Sequence, residues 1–369
     1  MKYKVASLFA GIGGICLGLK NAKYKKSSFD LVWANEIDEY ACETYRTNFD
    51  HLLLEGDINF ILNPHESDNE MYYLGLQKKI IDAGEIDVLN GGFPCQAFSI
   101  AGEQKGFDDE RGNLFLSILG VVKLLEKHYK KPRILFLENV KNLMAHDGGR
   151  TYKIIKEKIE ELGYIVKEAV LNTMFYSNLP QNRERMYIIC FRDQKDADKF
   201  NLFNNLAQYK NEFSKEEREK QIKGIIDYNN CNDEKYYYTK EKYPNYFTES
   251  GINLEKEMTE AYQFYQCRRG MYVRKNQSNV CPTLTANMGT GGHNVPLILD
   301  ANRIRKLTPA ETLRLQGFPV GNGYHMPTQY KGKKYSDANL YKQAGNAVSI
   351  PVITFIANHL LEVLSENDK

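Results

Sequence analysis

The sequence predicts an α/β fold with a mostly parallel sheet and a second, smaller domain. Short apolar segments alternate with amphipathic segments over residues 1–192, and a glycine-rich turn follows the first apolar segment. Strands that alternate with helices of this size are typical of βαβ units and therefore of parallel sheets. After residue 192 the chain becomes rich in Lys, Glu, Asn and Tyr with little periodicity, which indicates a second domain.

The apolar and amphipathic segments predict these elements in order. Strands are expected where short runs rich in apolar residues occur: 4–8, 31–35, 52–54, 88–89, 133–137, 164–171 and 185–191. Helices are expected where the polar and apolar residues follow a helical period: 15–20, 38–48, 69–83, 114–127, 151–162 and 350–364. Asp38 is suited to cap the second helix, Gly163 to end the fifth, and Pro351 to begin the last.

Composition limits the compartment and the partners. The 369 residues carry a net charge of only +2, so a polyanionic partner must meet a local basic face. The seven cysteines show no Cys-x-x-Cys spacing, and we find neither a secretory signal nor an apolar run of membrane-spanning length. These features predict free thiols in a reducing cytoplasm, without a membrane partner.

The glycine turn at residues 9–14 is the first candidate site. Gly11 and Gly13 allow a ligand to approach the backbone, and the following helix start favours a carboxylate. Glu36, at the end of the second strand, is suited to ribose hydroxyls, and Asp57, after the third, to an adenine amino group. Together these three strand ends indicate an adenosine-containing cofactor. No Gly-Lys-Ser/Thr phosphate loop is present.

Cys95 is the candidate nucleophile. Gly91 and Gly92 let the backbone leave its strand sharply, and Pro94 restricts the conformation just before the thiol. The thiol is thereby presented at the carboxyl end of a strand, where open α/β sheets hold their ligands. An unperturbed thiol is only about 3% thiolate at pH 7, so a working nucleophile needs electropositive help. Arg183 and Arg185 are the candidates to supply it.

Glu138 is the candidate acid. It follows four apolar residues at a predicted strand end, in the segment Leu-Glu-Asn-Val. A carboxyl group in that position either caps a helix or is placed for chemistry. Beside a nucleophilic cysteine, it is suited to bond a pyrimidine ring nitrogen.

Eight segments resemble, in order, the motifs of the DNA cytosine-5 methyltransferase family. They are 9–14, Glu36, Asp57, Gly-Phe-Pro-Cys-Gln at 92–96, Glu-Asn-Val at 138–140, Gln-Asn-Arg-Glu-Arg at 181–185, 305–319, and Gln-Ala-Gly-Asn-Ala-Val at 343–348. Any one segment is weak evidence, whereas eight in the same order across nearly the whole chain are strong. Two positions depart from the pattern: Ile37 stands where many relatives have an aromatic residue, and Ala347 replaces a common serine.

The resemblance implies a Rossmann-like, S-adenosylmethionine-dependent methyltransferase that acts on carbon 5 of a cytosine flipped out of duplex DNA. The Cys95 thiolate would add to carbon 6, and Glu138 would support the ring nitrogen. The implied catalytic residues are Cys95, Glu138, Arg183 and Arg185. The implied cofactor residues are Phe9, Ala10, Gly11, Gly13, Gly14, Glu36, Ile37, Asp57, Ile58, Asn346 and Ala347. The implied substrate-binding residues are Gln96, Ser99, Thr283 and Leu284.

The resemblance also divides the chain. Residues 1–192, completed by 336–369, form the catalytic and cofactor domain, and 193–335 form a target-recognition domain with its hinge. Within the latter, the basic segments 266–269 and 274–275 are suited to contact phosphate or guanine. The glycine-containing loop from Ser99 to Gly112 is expected to close over the DNA.

Competing functions remain to be separated. A zinc-dependent cytosine deaminase is excluded because the second ligand of its Pro-Cys-x-x-Cys motif is missing, and we predict no metal site. Methyltransferases that act on exocyclic amines carry a Pro-Pro-aromatic loop, which is absent. Two alternatives stay open: a tRNA cytosine-5 methyltransferase of the same fold, and an inactive DNA-binding regulator. The resemblance favours a bacterial or phage modification enzyme, paired with a restriction endonuclease and monomeric.

Overall fold

Seven strands form the main sheet of the computed structural model, which describes residues 1–93, 114–268, 271–276, 278–290 and 296–368. The strands are β1 Lys2–Leu8, β2 Ser28–Glu36, β3 Leu52–Glu55, β4 Val88–Gly92, β5 Ile134–Val140, β6 Ile165–Asn172 and β7 Glu184–Phe191. The helices are α1 Gly14–Asn21, α2 Glu39–Arg46, α3 Ile58–Leu62, α4 Glu70–Asp82, α5 Leu114–His128, α6 Arg150–Glu161, α7 Thr173–Tyr176, α8 Gln194–Lys199, α9 Lys215–Lys223, α10 Leu254–Glu257, α11 Pro309–Arg314, α12 Asp337–Asn346 and α13 Ile350–Asn367.

The main sheet has the strand order β3-β2-β1-β4-β5-β7-β6. The pairs from β3 to β5 are parallel, whereas β7 runs antiparallel to β5. The prediction of a mostly parallel α/β sheet is therefore confirmed. The order reverses between β1 and β4, which is where open sheets of this kind bind ligands, beyond the carboxyl ends of the strands.

The chain divides into two compact units. Unit 1 comprises Met1–Leu171, Glu184–Tyr209 and Val352–Lys369, and unit 2 comprises Asn172–Arg183 and Lys210–Pro351. The functional meaning given above to residues 1–192, 193–335 and 336–369 stays a prediction.

Unit 1 has a large apolar core on the main sheet. The core includes fully buried residues of strands and helices alike, such as Leu89, Leu135 and Ile155. Arg133 directly precedes β5, and its guanidinium pairs with Asp196 at 2.5 Å and with Asp368 at 2.7 Å. The arginine thereby binds the C-terminal segment to the sheet.

Unit 2 has a smaller antiparallel sheet of four strands in the order β11-β10-β8-β9. These strands are β8 Tyr265–Arg268, β9 Tyr272–Lys275, β10 Pro296–Asp300 and β11 Arg303–Lys306, and a two-stranded ribbon follows, β12 Gln329–Tyr330 and β13 Lys333–Lys334. Arg305, buried in this unit, pairs with Asp300 at 2.6 Å and with Glu311 at 2.8 Å. The sequence did not predict this sheet.

One described segment, Asp337–Asn367, is long and apolar enough to cross a membrane by length and composition. The sequence analysis did not anticipate it. However, 67% of its most apolar window is buried inside the protein. A core helix passes the same test, so the segment is only weak evidence for a membrane span.

Candidate active site

The glycine turn between β1 and α1 adopts a conformation that few residues other than glycine tolerate. Phe9, Gly11 and Gly13 have φ angles of 54°, 56° and 84°. A Cβ at Gly11 would meet no atom within 4 Å, whereas a Cβ at Gly13 would overlap the Phe49 ring. Gly11 therefore borders open space, and Gly13 packs against the protein.

Glu36 holds this turn at the end of β2. Its Oε2 accepts from the Gly11 N–H at 2.7 Å, and its Oε1 accepts from the N–H groups of Ile37 and Asp38, both at 2.9 Å. A carboxylate has about four acceptor positions. Within the described part of the chain, Glu36 thus keeps about one acceptor position, on Oε2, for a ligand hydroxyl.

The two neighbouring strand ends carry Ile37 and Asp57. Ile37 follows β2 directly and is 65% exposed. Asp57 follows β3, and its side chain accepts from the Asn59 N–H at 2.8 Å, where it caps α3. The sequence analysis did not predict α3, so this capping role was missed. Ile58, the first residue of α3, is buried.

The strands β4 and β5 bring Glu138, the candidate acid, beside Gly92 at the end of β4. Gly92 pairs with Glu138 in the parallel register, and a Cβ at Gly92 would lie 3.1 Å from Glu138 Oε2. Arg185, on β7, places its Nε 3.1 Å from Glu138 Oε1. This ion pair fixes the orientation of a nearly buried carboxyl group at the carboxyl end of β5.

Asn139 is a residue that the sequence analysis did not single out. Its side-chain amide donates to the Phe93 carbonyl at 2.8 Å, and its Oδ1 accepts from the Val140 N–H at 2.8 Å. The end of β4 is therefore held on β5 just before Pro94 and Cys95. Cys95, Gln96, Ser99 and the predicted closing loop to Gly112 lie outside the described residues.

Arg183 occupies a different environment from Arg185. It is only 2% exposed, and its guanidinium donates to the carbonyls of Leu284 at 3.0 Å and Gly345 at 3.2 Å, and to that of Ala347. All of these residues belong to unit 2. Arg183 thus binds together three backbone segments of unit 2, and we call these contacts the Arg183 clasp.

Thr283 and Leu284, two of the implied substrate-binding residues, are part of the same arrangement. Thr283 donates to the Asn182 carbonyl at 2.6 Å, and Leu284 is buried. Asn346 ends α12, and a Cβ at the preceding Gly345 would overlap the backbone of Thr285 and Ala286. These contacts explain why a glycine and an arginine are needed at positions that sequence alone marks only as motif residues.

Comparisons with known proteins agree with this architecture. The family model for C-5 cytosine-specific DNA methylases matches residues 3–362. The type II methyltransferase M.Bsp6I of Bacillus sp. (strain RFL6) is 43% identical over 97% of this chain and 98% of its own length. The type II methyltransferase M.HhaI of Haemophilus parahaemolyticus is 33% identical over 96% of this chain and 92% of its own.

Solved structures share the fold. The Dnmt2 methyltransferase of S. pombe superposes with a TM-score of 0.65 at 18% identity, covering 99% of both chains. A putative DNA modification methyltransferase from an E. coli prophage gives 0.58 at 21% identity, covering 98% of this chain and 99% of its own. The family and the fold imply the use of S-adenosylmethionine. Because the family model spans nearly the whole sequence, the chain belongs to the C-5 cytosine-specific DNA methylases, enzymes that methylate carbon 5 of cytosine in DNA.

Proposed function

We propose that the protein methylates one cytosine within a specific duplex DNA sequence through a transient covalent bond between Cys95 and the base. The observation that carries the proposal is the pairing of Glu138 and Asn139 with Gly92 and Phe93, directly before Cys95. This pairing supports a nucleophile and an acid acting on one ring. The glycine turn and Glu36 belong to the same edge of the sheet.

Covalent addition makes an unreactive carbon nucleophilic. The Cys95 thiolate forms a bond to carbon 6, and the electrons of the 5,6 double bond move to carbon 5, which is conjugated with the ring nitrogen. The Glu138 carboxyl group stabilises the ring nitrogen as charge develops there, and Arg185 keeps that carboxyl oriented. Carbon 5 would then take the methyl group that S-adenosylmethionine supplies, and the bond between that methyl group and the donor sulfur would break. Loss of the carbon 5 proton to water then allows the carbon–sulfur bond to Cys95 to break, so the 5,6 double bond re-forms and Cys95 returns as a thiolate.

The residues around the glycine turn fit an adenosine-containing methyl donor. Open space at Gly11, the exposed Ile37 side chain and the remaining acceptor position of Glu36 support this assignment. S-adenosylmethionine supplies a methyl group that its sulfonium makes electrophilic. Glu36 would bind a ribose hydroxyl and Ile37 would cover the adenine. The other members of the cofactor set, including Asp57, Asn346 and Ala347, remain proposals from the motifs.

The two arginines are proposed to have separate roles. Arg185 forms an ion pair with the proposed catalytic acid, whereas the Arg183 guanidinium donates its hydrogen bonds to carbonyl groups of unit 2. The contacts support Arg183 as a positioning residue rather than a group that activates the thiol. The burial of Leu284 likewise supports a positioning role for that residue. Gln96, Ser99 and Thr283 are kept as proposed substrate contacts.

The biological setting is also a proposal. The relatives are bacterial and carry the type II name, which supports a cytoplasmic modification enzyme that protects DNA from a partner endonuclease. That the enzyme is a monomer is proposed from the sequence analysis alone. The family model supports DNA over tRNA as the substrate. Transfer of a tritiated methyl group to duplex DNA and to tRNA, measured side by side, separates the two substrates.

The decisive experiment replaces Cys95. We expect Cys95→Ser to lose methyl transfer completely while duplex binding and S-adenosylmethionine binding survive. Wild-type enzyme should also be trapped on duplex DNA that carries 5-fluorocytosine, because the fluorine cannot leave as a proton does. Peptide mass spectrometry should locate the adduct on Cys95.

Cys231 offers the matched control, because it is a half-buried cysteine of unit 2 outside the proposed site. Cys231→Ser should keep full activity and should still be trapped. An active Cys95→Ser enzyme, or an adduct on another residue, would refute the proposal.

A further inference from the structure

Asn35 lies at the end of β2, between the glycine turn and the end of β3. It is polar yet only 2% exposed, and it directly precedes Glu36. Its backbone carbonyl accepts from the Ala10 N–H at 2.9 Å, which bonds it to the glycine turn. Its side-chain amide donates to the carbonyls of Leu54 and Gly56, both at 2.9 Å. A single buried residue therefore bonds to the ends of both neighbouring strands.

Glu36 adds a second set of bonds between the same two segments. Its carboxylate accepts from the Gly11 N–H at 2.7 Å, and its backbone carbonyl accepts from the Gly56 N–H at 3.0 Å. We call these two bonds and the three of Asn35 the β2 bracket. A side-chain amide has two N–H donors, so Asn35 commits both of them to β3.

The end of β3 depends on the β2 bracket. The strand has only four residues and lies at the edge of the sheet that the structure describes, with β2 as its neighbour. On its outer side, the Tyr72 hydroxyl donates to the Glu55 carbonyl at 2.5 Å, and a Cβ at Gly56 would lie 3.0 Å from the Tyr73 ring. Asp57 directly follows this strand end. The bracket therefore sets where Asp57 lies relative to the glycine turn.

We propose that Asn35 is a positioning residue that holds Asp57 at a fixed distance from Glu36, so that one adenosine is bound at its ribose and at its adenine together. This inference rests on the proposed function, which assigns the ribose to Glu36 and the adenine amino group to Asp57. When two contacts belong to one rigid frame, a ligand that has made the first loses little further entropy in making the second. Without Asn35, the two contacts form independently and the second no longer strengthens the first.

The test compares two ligands that differ at the adenine amino group. Calorimetry on the whole enzyme measures binding of S-adenosylhomocysteine and of S-inosylhomocysteine, in which a carbonyl oxygen replaces that amino group. Wild type should prefer the adenosine compound roughly 10- to 100-fold, because the inosine compound cannot donate to Asp57 from that position. Asn35→Ala should lose most of this preference, by weakening the adenosine compound more than the inosine compound.

A double-variant cycle tests whether Asn35 acts through Asp57. Asp57→Ala should remove the preference from the wild-type enzyme and should change little in the Asn35→Ala background. Tyr72→Phe releases the same strand end from its outer side and should lower the preference by a smaller factor, which tests the proposal without altering a buried residue. Trp33, the single tryptophan of the chain, is fully buried on β2, and its fluorescence shows whether that strand stays packed in each variant.

Asn90→Ala is the matched control. Asn90 is a buried asparagine on β4 whose amide also donates twice, to the Ala6 carbonyl at 3.0 Å and to the Ser7 hydroxyl at 2.8 Å. Its replacement should lower the unfolding temperature about as much as Asn35→Ala does, while the preference for the adenosine compound stays as in wild type. Equal weakening of both compounds by Asn35→Ala, or the same loss of preference in Asn90→Ala, would overturn the inference. A wild-type enzyme that binds neither compound would refute the proposed cofactor itself, and the inference with it.

Discussion

The two units of the protein stabilise themselves in different ways. In unit 1, one continuous apolar cluster of buried strand and helix residues supports the seven-stranded sheet. In unit 2, the cluster behind the four-stranded sheet is small, and buried arginines join distant segments. Arg305 lies between two buried carboxylates, and the Arg183 clasp gathers three carbonyl groups.

The difference matches what each unit does in the proposed mechanism. A catalytic acid needs a rigid support, and close packing on a sheet provides one. A region that selects DNA sequences needs surface residues that can differ between enzymes of different specificity, on a backbone whose fold does not change. Directional bonds from a few buried arginines help to fix such a frame beside its apolar packing.

The largest expected effect lies in unit 1, at Glu138, the proposed catalytic acid. Glu138→Gln keeps the shape of the side chain but removes the acid, so kcat should fall about 10²- to 10⁴-fold while S-adenosylmethionine binding is unchanged. Single-turnover methylation of a duplex substrate measures this directly. Glu184→Gln, which alters an exposed carboxylate paired with Lys141, is the control and should keep normal activity. Equal activity of the two variants would remove Glu138 from the mechanism.

The same contrast explains how much of the fold the sequence predicts. All seven strands of the main sheet were predicted, because buried parallel strands such as β5 are short apolar runs and the helices between them are periodic. The N-cap at Asp38 was also predicted correctly, since its side chain accepts from the N–H groups of Tyr40 and Ala41. The helix α3 was missed because it has only five residues.

Unit 2 was not predictable in the same way. Its strands β8 and β9 have only four residues each and mix polar with apolar side chains, so they lack a clear period. Arg305 and Glu311 resemble surface charges in the sequence, and only the fold makes them a buried pair. The Thr-x-x-Glu spacing from Thr308 to Glu311 was one available signal, because it predicts the capping box that the structure contains.

The candidate site, too, could be predicted only where local sequence carries the signal. Glu138 was recognised as a candidate because an acidic residue follows an apolar run at a predicted strand end. The structure places Arg185 beside it. The separate surroundings of Arg183 could not follow from an Arg-x-Arg spacing, because a residue's partners across a domain depend on long-range packing. Asn139 stands in the Glu-Asn-Val motif, but no role was assigned to it, because the carbonyl that its side chain binds, that of Phe93, is distant in the sequence.

A second prediction tests whether unit 2 depends on its buried charges. Arg305→Ala should destabilise unit 2 by about 3–5 kcal/mol, because it leaves Asp300 and Glu311 buried without their partner. Hydrogen exchange should lose protection in β10 and β11 while β5 in unit 1 keeps its protection. The control is Arg303→Ala, which removes an exposed neighbour paired with Glu234 and should leave the stability of unit 2 nearly unchanged. Unchanged protection in the Arg305 variant would show that unit 2 does not depend on this buried ion pair.

A third prediction separates positioning from catalysis at the clasp. Arg183→Lys cannot reach three carbonyl groups, so unit 2 should lose about 1–3 kcal/mol of stability, and hydrogen exchange should increase near Leu284 and Ala347. Arg185→Lys changes a residue of unit 1 and should leave that exchange unchanged. If Arg183→Lys lowered kcat while exchange and thermal stability stayed normal, Arg183 would be catalytic, as the sequence analysis expected.

The smallest effect concerns a polar contact inside unit 1. Burial lowers the pKa of His51 to about 4, and its Nε2 lies 2.7 Å from the Tyr45 hydroxyl. The unfolded chain binds the proton near pH 6.5, so the contribution of neutral His51 to stability is lost as pH falls from 6.5 towards 4. Between pH 7.5 and 5, wild type should lose about 1 kcal/mol more than His51→Gln in urea unfolding, allowing for partial exposure. Equal losses would show that this histidine is solvated in the folded protein.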